Sequence, residues 1–387
     1  MDRAGLRRLA LATGCAEEHA GHVFLCDPKW STTERARFDA LLSAGSGESA
    51  IPDSSPGTNA DGWLCIATGG SSGGLKFARH DERTLGAAVA GFCAHFGLAR
   101  VNAVDVLPPH HVSGFMARMR CAATGGTHVA WDWKRLAAGE RPELAAGEWV
   151  LSLVPTQLQR LLASAATVAW LRGFAVIFVG GGPVWPELAE AAARAGLRVS
   201  LGYGMTETAA MVAALRPEEF LAGGRSSGAA MPHARIALTA DGLVRIEGES
   251  VFRGYYPERR TARAFETADF GRIDAHGRLH LLGRSDAVII TGGEKVQPAE
   301  VEAALRASGE FADVAVLGVP DAEWGQCVVA CYPAAERPPE WSRVEAKLSA
   351  LAAFKRPKRF VALADWPRNA QGKLNRAELA RRAQESR

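Results

Sequence analysis

The chain has 387 residues, 48% apolar and 22% charged, the balance of a globular protein long enough to bury its cores without disulfide staples. Lys and Arg number 45 against 42 Asp and Glu, and the resulting charge of +3 argues against nucleic-acid binding as the main task. Seven cysteines, an odd count without a Cys-x-x-Cys spacing, fit a reducing compartment better than a disulfide framework or a zinc site. Cys327 and Cys331 lie in an apolar run with no His nearby and read as core residues. No apolar stretch reaches the length of a membrane span, and Met1–Gly14 lacks the features of a signal peptide. The expected location is the cytosol, with no membrane insertion.

In chain order, residues 45–62 are rich in Ser, Gly, Pro, Asn and Asp and read as a connector. Trp63–Thr68 reads as a buried strand running into a Gly/Ser loop, Asp81–Gly97 as a helix, and Ala103–Leu107 as a strand stopped by Pro108. Strand and helix signals then alternate. Strands are expected at Glu148–Val154, Ala175–Val179 and Val199–Gly202, and helices from Thr156 and over Pro186–Ala195. This alternation predicts a layered α/β domain with a largely parallel sheet. After Gly223 short strands follow at Ala234–Thr239, Gly242–Glu247 and Gly277–Leu282, a β-rich subdomain. A small α+β domain completes the chain. It has helices at Pro298–Ser308 and Glu340–Ala353 and strands at Ala312–Val319, Gln326–Tyr332 and Arg359–Leu363. The basic run Lys355–Arg359 reads as a solvated linker. The domains are expected at residues 1–284 and 285–387.

Thr68-Gly69-Gly70-Ser71-Ser72-Gly73-Gly74-Leu75-Lys76 is the strongest local signal. Glycines allow a tight backbone whose N–H groups converge on one anion, hydroxyls add donors, and the lysine adds charge. A flexible turn has the same composition, but such turns rarely follow a buried strand and end in lysine. The spacing is not a Walker A loop, because Leu75 separates Gly74 from Lys76 and Phe77 follows. A second segment, Leu201-Gly202-Tyr203-Gly204-Met205-Thr206-Glu207-Thr208, reads as a Gly-Tyr-Gly turn after a strand. Tyr203 offers a ring for stacking, Thr206 a hydroxyl for phosphate, and Glu207 a hard oxygen ligand for Mg²⁺.

The phosphate loop resembles the Thr-Ser-Gly-Thr-Thr-Gly-x-Pro-Lys signature of the adenylate-forming superfamily. That superfamily contains acyl-CoA synthetases, firefly luciferase and peptide-synthetase adenylation domains. Tyr203–Glu207 matches its Tyr-Gly-x-Thr-Glu motif, and Asp269 resembles its ribose-binding aspartate. Leu282-Gly283-Arg284-Ser285-Asp286 resembles its hinge, and the run from Thr291 to Glu302 its Gly-Gly-Glu segment. Residues Pro367–Arg376, with Lys373, resemble its C-terminal lysine motif. All come in the family's order between Thr68 and Arg376, which makes chance agreement implausible. Gly69, Leu75 and Ala268 depart from the usual Ser, Pro and Gly. The loop also arrives earlier than in most relatives, so the resemblance implies a large domain shortened at its N-terminus.

Leu107–Arg120 carries a His-Val-Ser-Gly stretch, His111 to Gly114, with Arg120 nine residues after His111. It resembles the acyl-pocket segment of the o-succinylbenzoate–CoA ligases of menaquinone biosynthesis, as do Ser152–Leu158 and Gly180–Pro183. Their acid has two carboxylates, and a guanidinium suits the one that is not activated. Arg120 is the expected clamp, with His111 and Ser113 beside it. The alternative aims Arg118 into the pocket and leaves Arg120 in a surface pair.

The resemblance implies a ligase that forms an acyl-adenylate from ATP and passes the acyl group to coenzyme A, with Mg²⁺. Lys373, Thr206 and Glu207 would be catalytic, with Glu207 the metal ligand. Thr68, Gly70, Ser71, Ser72, Gly73, Lys76, Gly181, Gly182, Gly202, Tyr203, Gly204, Asp269 and Arg284 would hold the nucleotide. Gly292 and Gly293 would line the CoA channel, and Asp286 would be the hinge of a mobile small domain. Another acyl- or aryl-CoA ligase, a stand-alone enzyme loading a carrier protein, an inactive nucleotide-binding paralogue, and homo-oligomer formation all stay open at this point.

Overall fold

A computed structural model describes residues 1–45, 62–69, 75–334, 338–368 and 374–385. The connector read over 45–62 lies mostly outside the described residues, as do Gly70, Ser71, Ser72, Gly73 and Lys373. The chain forms two compact units. The first comprises Met1–Thr239, Val244–Thr267 and Ile273–His280, and the second Ala240–Leu243, Ala268–Arg272 and Leu281–Arg387.

The first unit is built on a seven-stranded sheet. Its order is Ala229–Ala230, Ala210–Ala214, Val199–Met205, Val176–Val179, Trp149–Leu153, Asn102–Asp105 and His128–Ala130. The last five strands are mutually parallel, as the strand–helix alternation predicts. Successive residues feed opposite faces. Val104, Leu151, Leu153, Ile177 and Val179 pack on one side with Leu158, Leu161, Leu188 and Ala192 from the helices. Ala103, Val150, Val176 and Phe178 pack on the other with Phe92 and Cys121. Burying each large apolar side chain stabilises the unit by roughly 1.5–3 kcal/mol, and both faces of the sheet are dry.

The helix Glu82–Phe96 begins where Asp81 accepts from the Thr84 and Arg83 amides and ends at Gly97, which has a left-handed φ of 67°. A second sheet joins Ala16–His19, His22–Leu25, Leu64–Gly69 and Leu75–His80, so the phosphate-loop segment is bracketed by paired strands. Both faces of this sheet are apolar. Leu25 and Ile66 pack toward Met116, and Phe24, Cys65 and Phe77 pack toward Phe38.

The second unit contains Glu294–Val296, Ile289–Thr291, Gly325–Pro333 and Ala315–Asp321 in that sheet order, with Arg359–Leu363 parallel to Gly325–Pro333. Helices Pro298–Arg306, Trp341–Leu348 and Arg376–Glu385 accompany it. Cys327 and Cys331 are buried core residues, as expected.

Three local readings are corrected. The strand expected to stop at Gly202 runs to Met205, so Gly-Tyr-Gly is strand rather than turn. Pairing with Ala210–Ala214 sustains it. The glycines serve that pairing. A Cβ on Gly204 would sit 1.9 Å from the Ala210 carbonyl oxygen, and one on Gly202 would sit 2.5 Å from the Met211 sulfur. The helix read over Glu340–Ala353 is confined to Trp341–Leu348. The basic run is not a solvated linker. Lys355 Nζ donates to both oxygens of Glu300 at 2.7 and 2.8 Å, and Arg356 caps the Ser349 and Leu351 carbonyls. Among the described residues no helix is long and apolar enough to cross a membrane.

Candidate functional site

In an open parallel sheet, ligands sit beyond the carboxyl ends of the strands. The segments singled out in the sequence follow those ends. His111 and Ser113 come after Asn102–Asp105, Gly181 and Gly182 after Val176–Val179, and Thr206 and Glu207 after Val199–Met205. Gly181 and Gly182 are exposed. Gly181 takes a φ of 75°, and a Cβ on Gly182 would meet nothing within 4 Å.

Glu207 occupies a single helical turn, Thr206–Thr208, and is 7% exposed. Its Oε1 accepts from the Tyr255 hydroxyl at 2.7 Å and from Thr68 Oγ1 at 3.2 Å. Among the described residues Oε2 has no hydrogen-bond partner, and no cation lies within 4 Å of the carboxylate. The turn is held tightly. The His80 Nε2 donates to the Thr206 carbonyl at 2.7 Å, and Thr208 Oγ1 reaches the Ala210 carbonyl at 2.7 Å. Ala209 and Ala210 take left-handed φ values of 53° and 81°, a strain non-glycine residues accept only where surroundings enforce it. A carbonyl only accepts, so Nε2 of His80 carries a proton. Burial, the largest influence, pulls its pKa down to about 4.

A buried carboxylate oriented by two hydroxyls and lacking a cation fits Mg²⁺, which prefers oxygen ligands and keeps much of its shell as water and phosphate oxygens. Among the described residues no group of three or more His, Cys, Asp and Glu side chains is placed to hold a metal ion. Lys76 is exposed and places Nζ 5.3 Å from the centroid of the Tyr255 ring. Tyr255 was not singled out in the sequence. Tyr203 is 6% exposed and packs among Ala78, Val212 and Val244, its hydroxyl 3.4 Å from Thr267 Oγ1.

The acyl-pocket segment forms the helix Val112–Thr124, with His111 at its N-cap. Gly114 is required by close approach, because a Cβ there would sit 2.4 Å from the Pro108 carbonyl oxygen. Arg120 lies roughly 13 Å along the axis from His111. It is 5% exposed, and its guanidinium stacks on Phe92 with Cζ 4.0 Å from the ring centroid. Its Nε is buried without a hydrogen-bond partner, and no carboxylate lies within 4 Å among the described residues. Burial pulls its pKa to about 10, so it remains a cation at neutral pH. Arg120 is not in a surface pair, and the Nε of Arg118 is likewise buried without a hydrogen-bond partner. The helix turns Arg120 inward, onto the Glu82–Phe96 helix, while Arg118 is half-buried.

In the second unit, Asp269, Arg284 and Asp286 form one cluster. Arg284 donates to Asp286 at 2.8 and 2.6 Å and to Asp269 at 3.1 Å. The sequence treated these as a ribose ligand, a nucleotide contact and a hinge, but one guanidinium ties them together. Gly292 and Gly293, with φ of 57° and 84°, make the two-residue turn between Ile289–Thr291 and Glu294–Val296. A Cβ on Gly292 would lie 2.8 Å from the Trp324 ring, whereas Gly293 faces open space. Lys358 Nζ lies 3.3 Å from the centroid of that exposed ring. Neither Trp324 nor Lys358 was picked out in the sequence, because nothing links them locally to the Gly-Gly turn.

Comparison with known proteins gives a consistent picture. Residues 11–256 match the family model "AMP-binding enzyme", and residues 300–373 match "AMP-binding enzyme C-terminal domain". A 2-succinylbenzoate–CoA ligase of Geobacillus kaustophilus is 35% identical over 303 residues, which cover 71% of this chain and 60% of the relative. The chain thus spans about three fifths of that relative's length. The o-succinylbenzoate CoA synthetase of Bacillus subtilis with its acyl-adenylate intermediate matches with a TM-score of 0.72 at 24% identity. The match covers 92% of this chain and 77% of that one. The same Bacillus subtilis enzyme in complex with ATP and a magnesium ion matches equally, with a TM-score of 0.72 at 24% identity over 91% and 78% of the two chains. These structural likenesses are ones of fold. By the family-model matches over both units, the chain belongs to the AMP-binding enzyme family.

Proposed function

We propose that the protein is an AMP-forming acid–CoA ligase that converts 2-succinylbenzoate, ATP and CoA into 2-succinylbenzoyl-CoA, AMP and pyrophosphate. The observation carrying the reading is the meeting of Thr68 and Glu207, 139 residues apart, at 3.2 Å beside Lys76. Two separate nucleotide motifs of the sequence share one place.

In this reading the succinyl carboxylate attacks the α-phosphorus. An O–P bond forms, and the bond to pyrophosphate breaks. Lys76, with Thr68, Gly70, Ser71, Ser72 and Gly73, holds phosphate oxygens, and Thr206 adds a hydroxyl. Glu207 is the residue that would hold Mg²⁺, which when bound draws charge from those oxygens. Lys373 balances charge on the phosphorus oxygens, a role resting on its motif alone. By their motifs alone, Gly181, Gly182, Gly202, Tyr203 and Gly204 are assigned to the base, Asp269 to the ribose hydroxyls, and Arg284 to ribose or phosphate. Arg120 binds the carboxylate that is not activated, so that only the succinyl arm reaches phosphorus, while His111 and Ser113, at the start of the same helix, are assigned to the acyl pocket by their motif. The thiol of CoA then attacks the acyl carbon and AMP departs. Gly292 and Gly293 take the pantetheine arm, and Asp286 is the pivot between residues 1–284 and 285–387. The proposed place of action is the cytoplasm.

The experiment offers ATP, Mg²⁺ and CoA with o-succinylbenzoate, benzoate or a medium-chain fatty acid, and reads products by mass spectrometry. A thioester from o-succinylbenzoate alone is expected. A thioester from another acid keeps the ligase and discards the Arg120 clamp. No adenylate from any acid discards the reading.

A further inference from the structure

We propose that Tyr255 is a positioning residue of the nucleotide site, holding Lys76 and Glu207 apart and aiming the Glu207 carboxylate. The proposal rests on the nucleotide-binding reading above. Lys76 and Glu207 carry opposite charges and touch the same side chain. The Tyr255 hydroxyl donates to Glu207 Oε1 at 2.7 Å, and Lys76 Nζ lies 5.3 Å from the ring centroid. Lys76 and Glu207 form no ion pair with each other. Direct contact would make each the other's counter-ion and leave neither for phosphate or metal. The phenol prevents this. Its ring face attracts the ammonium, and its hydroxyl takes the carboxylate.

The surrounding backbone fixes Tyr255 in that place. Gly254 O accepts from Arg79 N and Phe77 O from Tyr256 N, both at 2.9 Å, so Tyr255 is bridged to Ala78 on the strand that carries Lys76. On the other side, Phe252 N donates to the Glu207 carbonyl at 2.9 Å. The buried pair of Arg253 and Asp81, at 2.7 Å, anchors the segment, and the Tyr255 ring packs on Phe252 with centroids 4.9 Å apart. A phenol ordinarily keeps its proton at neutral pH and a carboxylate oxygen only accepts, so the hydroxyl acts as the donor. With Thr68 it occupies Oε1, which leaves Oε2 as the oxygen offered to Mg²⁺.

The test is calorimetric titration of the whole chain with ATP, with and without Mg²⁺, each variant first shown folded by its melting curve. Tyr255→Phe keeps the ring and its packing and removes only the donor. Its metal-free ATP affinity should match the wild type, while the tightening by Mg²⁺ shrinks about tenfold. Tyr255→Leu also removes the ring face, so Lys76 closes on Glu207 and metal-free ATP binding weakens about tenfold. Adding Glu207→Gln to Tyr255→Leu should restore metal-free binding, because an amide does not hold Lys76. A purely structural tyrosine predicts neither the selective loss of the Mg²⁺ effect nor the rescue. Full Mg²⁺ tightening in Tyr255→Phe, or no rescue by Glu207→Gln, overturns the proposal. A wild type that binds no ATP overturns the nucleotide reading itself, and the role of Tyr255 with it.

Discussion

Glu207 and Arg120 are both buried charges of the first unit, at 7% and 5% exposure, yet their surroundings differ in kind. Glu207 sits in a strained turn with two hydroxyls on one oxygen and a neutral histidine on the preceding carbonyl. Arg120 lies on the Phe92 ring, with its Nε unpartnered and no carboxylate within reach among the described residues. A buried ion without a partner is strongly disfavoured. The first charge is oriented ahead of time by its hydrogen bonds, as the proposed phosphoryl chemistry would demand. The second lacks an anionic partner among the described residues, the state expected of a guanidinium that is proposed to take a carboxylate.

Breaking the first region should have the largest effect. Glu207→Gln keeps the shape and the hydroxyl contacts but removes the charge that the proposed Mg²⁺ site requires. Adenylate formation, followed as pyrophosphate release, should fall about 10²- to 10³-fold. Excess Mg²⁺ should recover little of it. A loss confined to CoA thioester formation would remove Glu207 from the first half-reaction.

Arg120→Leu sharpens the contrast, because its effects on function and stability should have opposite signs. The kcat/KM for o-succinylbenzoate should fall about a hundredfold through the lost charge-assisted bonds, with benzoate barely changed. The ligand-free protein should become more stable by about 1–3 kcal/mol, because a desolvated cation gives way to an apolar side chain. Chemical denaturation reads that gain. Destabilisation together with unchanged acid selectivity would make Arg120 a packing residue.

The sequence made the scaffold readable wherever one physical signal was local. Continuous apolar runs such as Trp149–Leu153 announced strands buried on both faces, and Asp81 and Gly97 marked the ends of one helix. Ala16–His19 and Ala264–Ile273 escaped, because their polar, half-buried residues carry no strong period. The Gly-Tyr-Gly segment was misread as a turn, since its glycines answer the neighbouring strand at Ala210–Ala214. Thr68, Lys76, Glu207 and Arg120 were candidates from motif and spacing, and the structure brings Thr68 to Glu207. Tyr255 was not, because its bond to Glu207 closes over 48 residues and depends on pairing with Ala78. The linkage of Asp269 to Asp286 through Arg284 is likewise a fact of geometry that residue types alone do not state.

The smallest effect expected is on the pH dependence of stability, and it separates the two regions again. The pKa of His80 is lowered from 6.5 to about 4 in the folded chain, so between those values the unfolded chain binds the extra proton. His80 therefore contributes fully above about pH 6.5, and its contribution is lost progressively as the pH falls toward 4. One proton corresponds to about 1.4 kcal/mol per pH unit across that window. His22 and His233, also lowered to about 4 chiefly by burial, add in the same direction. His80→Gln retains a donor for the Thr206 carbonyl and removes the titration. Denaturant midpoints between pH 4 and 7 should show a shallower slope in this variant than in the wild type. Arg120 titrates far above the window and should leave the slope unchanged when replaced. Equal slopes for wild type and His80→Gln would mean that His80 is protonated in the folded state. The turn carrying Glu207 would then be held by an imidazolium rather than by the neutral tautomer.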